Sequence, residues 1–344
     1  MNTLKERADL VAEEAKKLNK GVYNDADSSK IITARRELQA ESCKLATLED
    51  AIKKSGLKDG MTISFHHHFR GGDKVVNLVV DKLAEMGYKD LHLAASSLSD
   101  VHKPLIEHIR NGVITRISTS GLRGELANEI SHGLMAEPVI FRSHGGRGSA
   151  IASGDLHIDV AFLGASSCDP LGNACGYSRS ENAKSICGSL GYALPDARYA
   201  DKVVIVTDDL VPYPNTPNSI SEHDVDYVVE VESVGDSSKI SSGAIRDSKN
   251  PRDILLAQQA AKVIINSGYK DGFSIQTGTG GASLAAVKYI RNSMIEQGIK
   301  ASFALGGITA HMVKLHEEGL IERLIDVQSF DKVAAMSLRD DMMH

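Results

Sequence analysis

Short apolar runs alternate with helix-period segments over the first half of the chain. The apolar runs predict strands at residues 61–65, 91–95, 115–118 and 139–141. Between them, apolar residues recur at helical spacing and predict helices at 74–86, near 102–111 and near 122–133. This alternation predicts a parallel sheet with right-handed crossovers and helices on both faces.

Ligands bind such sheets beyond the carboxyl ends of the strands. Four predicted loops meet at that rim, at residues 66–72, 96–100, 118–124 and 143–148. Each loop is rich in glycine, serine, histidine or arginine. We therefore expect the binding site at this edge of the sheet.

Further strands and two connections complete the first half. A buried strand from residue 158 runs into the turn-forming segment 169–173, and strands are predicted at 203–207 and 225–231. The proline-rich segment 211–217 predicts an extended connection, because proline cannot pair in the centre of a sheet. Polar residues at 235–239 place a domain boundary near 240. Apolar positions at helical spacing predict an amphipathic helix near the start of the chain. The predicted segments are thus 1–50, 51–240 and 241–344.

The last segment repeats the pattern of the middle one. A helix at 251–267 precedes a strand, a glycine turn and a helix at 283–296, which are followed by a strand at 302–305, a helix at 309–318 and a strand at 325–328. Leu57-Lys-Asp-Gly60 corresponds to Tyr269-Lys-Asp-Gly272, and Asn111-Gly corresponds to Glu318-Gly at nearly the same offset. The sequence predicts an α/β fold of two related halves, with the second incomplete.

Composition narrows the functional classes. The 344 residues include 42% hydrophobic and 24% charged residues and carry a net charge of −6, without a basic run, which argues against a nucleic-acid partner. The four cysteines contain no Cys-x-x-Cys pair and predict neither a disulfide framework nor a zinc ribbon. No stretch approaches the roughly 20 apolar residues of a membrane span, and the start of the chain lacks a signal-peptide core. A cytoplasmic protein is expected.

Gly278-Thr-Gly-Gly281 forms a strand-to-helix turn. Such a turn brings backbone N–H groups and a helix N-terminus to an anionic or carbonyl oxygen. It matches neither the dinucleotide fingerprint nor the phosphate-binding P-loop, which argues against a nucleotide or sugar-phosphate enzyme. A tight turn that only packs a helix closely against a strand remains the alternative.

The row His66-His67-His68 raises the question of a metal. In an extended segment only His66 and His68 share a side, and no third ligand is evident, so no metal site is expected. Hydrogen bonding to a carboxylate, assisted by the planar fork of Arg70, is the favoured interpretation. Ser143-His-Gly-Gly-Arg147 offers a second set of this kind.

Seven segments carry a family resemblance: 64–73, 118–124, 143–147, 162–173, 187–192, 276–283 and 304–309. Together they resemble the alpha subunit of citrate lyase, the citrate CoA-transferase chain. The resemblance extends over nearly the whole chain. It implies the open parallel-sheet domains of CoA-transferases, and Asp169, Gly172 and Asn173 match the Asp-x-x-Gly-Asn turn of those enzymes.

The reaction implied by this resemblance is an acyl exchange. An acetyl thioester on an acyl carrier protein reacts with citrate to give the citryl thioester and acetate. A beta subunit then cleaves the citryl thioester to oxaloacetate. The gamma, or carrier, subunit holds a phosphoribosyl-dephospho-CoA arm, so this chain is expected to bind no cofactor of its own and to act on that arm or on acetyl-CoA. An oligomeric complex is expected.

Transfer between two carboxylates requires a group that stabilises an oxyanion and a site that holds a tricarboxylate. Because the resemblance implies a ternary complex, no nucleophilic glutamate is predicted. The predicted oxyanion-binding residues are Gly71, Gly72, Gly278, Gly280 and Gly281. The predicted substrate-binding residues are His66, His68, Arg70, Arg123, Ser143, His144, Asp169, Asn173, Gly306 and Gly307.

The family's chains continue beyond this point with another glycine-rich stretch expected near the active site. A non-catalytic binding or assembly subunit of the same complex is therefore the competing hypothesis. An unfinished sheet edge would favour association in that case.

Overall fold

A computed structural model of the chain describes residues 43–240, 249–341 and 343–344. Two parallel sheets lie on either side of residues 241–248. The amphipathic helix predicted near the start of the chain falls outside the described residues. The domain boundary near residue 240 stays a prediction.

The first sheet has seven parallel strands in the order β4-β3-β2-β1-β5-β8-β9. Its strands are β1 (Thr62–Phe65), β2 (Leu91–Ala95), β3 (Ile114–Thr119), β4 (Ile140–Phe141), β5 (Val160–Ala165), β8 (Lys202–Thr207) and β9 (Tyr227–Glu230). A two-stranded antiparallel hairpin, β6 (Ser167–Cys168) and β7 (Ala174–Cys175), extends from β5. The strands β1 and β5 are buried along their whole length, as is typical of a parallel sheet covered on both faces.

Helices cover both faces of this sheet. They are α1 (Leu48–Lys54), α2 (Val75–Glu85), α3 (Leu105–Arg110), α4 (Gly124–Ser131), α5 (His144–Ser153) and α6 (Leu194–Tyr199). The helix α2 buries one apolar face, and the carboxylate of Asp73 accepts a hydrogen bond from the N–H of Val76 in its first turn (3.2 Å). Residues 143–148 were predicted as a loop, and this is wrong: they begin α5, where Ser143 is the N-cap.

The second sheet has three parallel strands in sequence order, β10 (Phe273–Ile275), β11 (Ala301–Ile308) and β12 (Leu324–Ser329). Four helices accompany it: α7 (Pro251–Asn266), α8 (Gly281–Gln297), α9 (Ala310–Glu317) and α10 (Lys332–Asp340). None of the described helices combines the length and apolar character needed to cross a bilayer.

The two halves share one local feature, an aspartate that accepts a backbone hydrogen bond and is followed by a glycine of positive φ. The carboxylate of Asp59 accepts a hydrogen bond from the N–H of Lys89 (2.8 Å), and the carboxylate of Asp271 accepts the corresponding bond from Lys300 (2.7 Å). The glycine after each aspartate has positive φ, +86° and +81°. Each hydrogen bond joins the segment just before one strand to the segment just before the neighbouring strand. The prediction of an α/β fold with two related open parallel sheets is confirmed.

The two halves are joined by contacts between residues far apart in the sequence. The Gln328 side chain donates to the main-chain oxygen of His67 (3.1 Å), and the Ser189 N–H donates to Ser329 Oγ (3.2 Å). Ala335 of α10 packs into a small apolar cluster with residues of the first half. These contacts place the carboxyl ends of β11 and β12 opposite those of β1, β2 and β3.

Candidate active site

A cleft between the two halves consists of two adjoining cavities, of about 310 and 440 Å³. We call the smaller one the glycine lobe; its own lining is Tyr192, Gln276, Thr277, Gly278, Gly306, Gly307 and Val327. The larger one is the arginine lobe; its own lining is Arg70, Gly71, Ser97, Ser99, Asp100, Val101, His102, Ser120, Gly121 and Arg123. Five residues line both: His67, His144, Thr279, Gln328 and Phe330.

The cleft lies where the strand order predicts it. The first half contributes the segments after β1, β2 and β3, the start of α5 and Tyr192 just before α6, and the second half contributes the turn after β10 and the ends of β11 and β12. All of these are carboxyl-terminal strand ends or helix starts. Such an edge is the usual ligand site of open α/β sheets.

Two guanidinium groups, those of Arg70 and Arg123, and one carboxylate, that of Asp100, line the arginine lobe, so its cations outnumber its anions. Arg70 has a positive φ of 52°, a left-handed conformation that non-glycine residues rarely adopt, and its guanidinium lies 4.9 Å from the centroid of the Phe330 ring. Burial, and then the nearby charge of Arg123, lower the pKa of Arg70. Two cations held this close favour an anion that carries more than one carboxylate.

The histidine row turns a different face to the cleft than the sequence predicted. Rings of His66 and His68 share one side, with centroids 3.9 Å apart, as alternation requires. That side faces the interior: His66 is 6% exposed, its Nε2 lies 2.9 Å from the oxygen of Gly164, and His68 is 0% exposed. The structure corrects the predicted side, because His67 lines the cleft instead.

Burial holds these imidazoles in the neutral form. It lowers the pKa of His66 to about 4 and the pKa of His68 well below its ordinary value. The pKa of His67 is also well below its ordinary value, first through burial and then through the neighbouring His144.

Three rings meet where the two lobes join. His67 and His144 stack with centroids 5.9 Å apart, and Tyr192 meets them edge-on at 5.8 and 5.2 Å. The Tyr192 hydroxyl donates to the main-chain oxygen of His144 (2.8 Å). Burial raises the pKa of Tyr192 and, with the charges of Arg123 and Arg147, lowers the pKa of His144. The cluster is therefore neutral at pH 7.

The predicted glycines fall into two groups. Gly71, Gly278, Gly306 and Gly307 line the cleft. Packing requires a glycine at position 307, because a Cβ there would lie 1.9 Å from the Phe330 ring. The other group is set back from the cleft lining. A Cβ on Gly72 would lie 2.1 Å from the oxygen of Asp236, while Gly280 and Gly281 cap and begin α8.

Three predicted substrate contacts instead order the local backbone. Asp169 Oδ1 accepts hydrogen bonds from the N–H groups of residues 171, 172 and 173 (2.9, 3.0 and 3.1 Å). Its other oxygen accepts from the Asn173 side chain (2.8 Å). Ser143 Oγ accepts from the N–H of Gly146 (3.0 Å) as a helix cap. None of the three lines the cleft, so the structure does not place them at the candidate site, and their predicted contact with substrate stays a prediction.

Sequence reasoning missed several residues of the cleft. Tyr192 ends the segment 187–192 that resembles the family but was not predicted as a site residue, and Gln328 and Phe330 belong to no motif that signals chemistry. The segment 143–147 was predicted to bind a carboxylate, but its Arg147 is 2% exposed and forms an ion pair with the buried Asp196 (2.7 Å). A buried arginine of this kind has no local sequence signal.

Comparison with known proteins gives consistent results. The family model for "Citrate lyase, alpha subunit (CitF)" matches residues 42–344. The citrate lyase alpha chain of Escherichia coli K12 is 60% identical over 300 residues, which cover 87% of this chain and 58% of the relative. The corresponding chain of Klebsiella pneumoniae is 61% identical over 299 residues, with the same coverage of 87% and 58%.

Solved structures resemble the fold. A crystal structure of the alpha subunit of citrate lyase from Streptococcus mutans, in complex with citrate, is 57% identical with a TM-score of 0.85, covering 90% of this chain and 61% of that one. The malonate decarboxylase alpha subunit of Acinetobacter baumannii is 17% identical with a TM-score of 0.63, covers 84% of this chain and 52% of that one, and shows the fold alone. The chain thus spans about six tenths of the length of its citrate lyase relatives.

Proposed function

Because this chain belongs to the citrate lyase alpha-subunit family, we propose that it acts in citrate CoA-transfer, exchanging the acetyl group of a carrier-bound thioester for a citryl group. Acetyl thioester and citrate would give citryl thioester and acetate. The observation that carries the proposal is the arginine lobe, which opens directly into the glycine lobe at a neutral three-ring junction.

Charge supports citrate as the occupant of the arginine lobe. Arg70 and Arg123 offer planar, two-pronged donors to carboxylates. The Asp100 carboxylate offsets one of these two positive charges, the junction adds the neutral side chain of His144, and the second half contributes only uncharged side chains to the lining. The relative from Streptococcus mutans was solved in complex with citrate.

The chemistry needs no covalent enzyme intermediate. A citrate carboxylate oxygen attacks the carbonyl carbon of the acetyl thioester, the carbon–sulfur bond breaks, and a mixed anhydride and a thiolate result. The thiolate then attacks the citryl carbonyl and acetate leaves. Negative charge develops on a carbonyl oxygen in both steps. Backbone N–H groups at Gly71 and Gly278, which line the cleft, are the proposed stabilising donors.

The glycine lobe suits the uncharged end of a thioester. Tyr192, Val327 and Phe330 form its apolar wall, while Gly306 and Gly307 keep it open at the second half. We propose that the thiol belongs to the phosphoribosyl-dephospho-CoA arm of an acyl carrier subunit, or to CoA itself, with no cofactor resident in this chain. A beta subunit would cleave the citryl thioester, in an oligomeric, cytoplasmic complex.

Formation of labelled citryl-CoA from acetyl-CoA and labelled citrate measures the acyl exchange. Calorimetry measures citrate binding. The 344-residue chain is compared with a protein extended to the length of its relatives. We expect citrate binding by both and exchange by at least the extended protein. Exchange by the extended protein alone would mean that further residues complete the site. The assembly-subunit hypothesis predicts no exchange by either protein, and that result would refute the proposed function whether or not citrate binds.

A further inference from the structure

His67 occupies the junction of the two lobes and is held there from both halves of the chain. Its main-chain oxygen accepts a hydrogen bond from Gln328 of the second half (3.1 Å). Its ring stacks on His144 and meets the edge of Tyr192, with centroids 5.9 and 5.8 Å away. The orientation of the ring is therefore set before any substrate arrives.

The partner of His67 Nδ1 selects the tautomer of the ring. Nδ1 is hydrogen-bonded to the hydroxyl of Ser96, which is 0% exposed. Among the described residues, that hydroxyl oxygen has no second hydrogen-bond partner. If Nδ1 carried the proton, the Ser96 hydroxyl hydrogen would be buried without an acceptor, which is unfavourable. The hydroxyl therefore donates to Nδ1, and the neutral ring carries its proton on Nε2.

The surroundings keep this ring uncharged. Burial comes first, followed by the charges or potential charges of His144, His66, Arg70 and Arg147, and all of them lower the pKa of His67. The second half faces the junction with the uncharged residues 279, 328 and 330. A neutral imidazole with its proton on Nε2 is a fixed hydrogen-bond donor that adds no charge to the cleft.

We propose, on the basis of the transferase function set out above, that His67 is a catalytic residue that donates an Nε2–H hydrogen bond to the carbonyl oxygen of the reacting acyl group. Ser96 is its positioning residue. The carbon–oxygen and carbon–sulfur bonds form and break as described above, and the proton stays on Nε2 throughout. His67 lines both lobes, so this donor lies at the boundary where a carboxylate in the arginine lobe would meet a thioester in the glycine lobe.

A matched pair of amide variants tests the proposal in the protein of full relative length. The amide nitrogen of glutamine reaches about the position of Nε2, whereas that of asparagine reaches only about the position of Nδ1. We expect His67→Asn to lower kcat about 100-fold, as for loss of one oxyanion donor, with the citrate Kd little changed. His67→Gln should retain about tenfold more activity than His67→Asn. Ser96→Ala should lower kcat about tenfold.

Equal kcat for the glutamine and asparagine variants at equal melting temperatures would overturn the proposal. Weaker citrate binding by His67→Asn with an unchanged kcat would also overturn it. A second measurement does not depend on activity. Nitrogen NMR of the ¹⁵N-histidine-labelled protein should show His67 as the Nε2–H tautomer, without titration between pH 6 and 8. The Nδ1–H tautomer would overturn the proposal. Absence of exchange by the unmodified protein would instead refute the transferase function, so the two failures are distinguishable.

Discussion

Replacing Arg147 should expose the cost of the buried ion pair beneath the cleft. Arg147 in α5 is 2% exposed and Asp196 in α6 is 0% exposed. Two hydrogen bonds join them, Nη1 to Oδ2 (2.8 Å) and Nη2 to Oδ1 (2.7 Å). Nη2 also donates to Ser64 Oγ (2.8 Å) and to the oxygen of Ala94 (3.1 Å). The pair therefore links both helices to β1 and β2, directly under His67, His144 and Tyr192.

The expected magnitude follows from burial. Burial acts against the charged form of Arg147, but Asp196 raises its pKa above the ordinary value. Arg147→Met leaves the Asp196 carboxylate buried without its cation, so the free energy of unfolding should fall by about 3–5 kcal/mol. Arg147→Met combined with Asp196→Leu leaves no buried charge and should recover most of that loss.

Urea unfolding followed by circular dichroism at pH 7 measures both effects, and the double-mutant cycle gives the coupling between the two side chains. If Arg147→Met lowers the free energy of unfolding by less than about 1 kcal/mol, the Asp196 carboxylate must be solvated in the folded protein. Additive losses in the double variant would mean that the two side chains act independently. Either result would refute the reasoning.

Three further perturbations test other parts of the structure. Gly307→Ala adds a Cβ 1.9 Å from the Phe330 ring; calorimetry should show about tenfold weaker citrate binding, because the ring must shift at a cost of about 1–3 kcal/mol. The pKa of buried His66 is lowered to about 4 from 6.5, so the unfolded chain binds more protons as pH falls from 6.5 to 4. Of the free energy of unfolding lost across this range in urea titrations, about 3 kcal/mol should come from His66, and His66→Asn should remove that part. Absence of a difference between the two proteins would contradict the assigned burial. Arg123→Gln should weaken citrate binding about tenfold or more by removing a charge-assisted contact, whereas the control Arg110→Gln, which alters an exposed ion pair, should leave the citrate Kd unchanged.

Local patterns predicted most elements of the fold. The strand predicted at residues 91–95 is β2 (Leu91–Ala95), and the helix predicted at 251–267 is α7 (Pro251–Asn266). Apolar periodicity, turn glycines and helix caps are properties of neighbouring residues, so they can be read without the tertiary structure. The helix α5 was missed because its first half contains three glycines, which lower helix propensity. The buried contact between Arg147 and Asp196 stabilises that helix within the fold.

The sequence by itself determined the alternating strands and helices, the edge of the sheet at which the cleft lies, and the alternation that puts His66 and His68 on one side and His67 on the other. Tertiary structure alone decided which side faces the cleft, because that depends on what covers β1. It also decided that Gln328 and Phe330 complete the site. Their partners lie far away in the chain, since Gln328 and His67 are 261 positions apart, and local propensity carries no information about contacts at such separation.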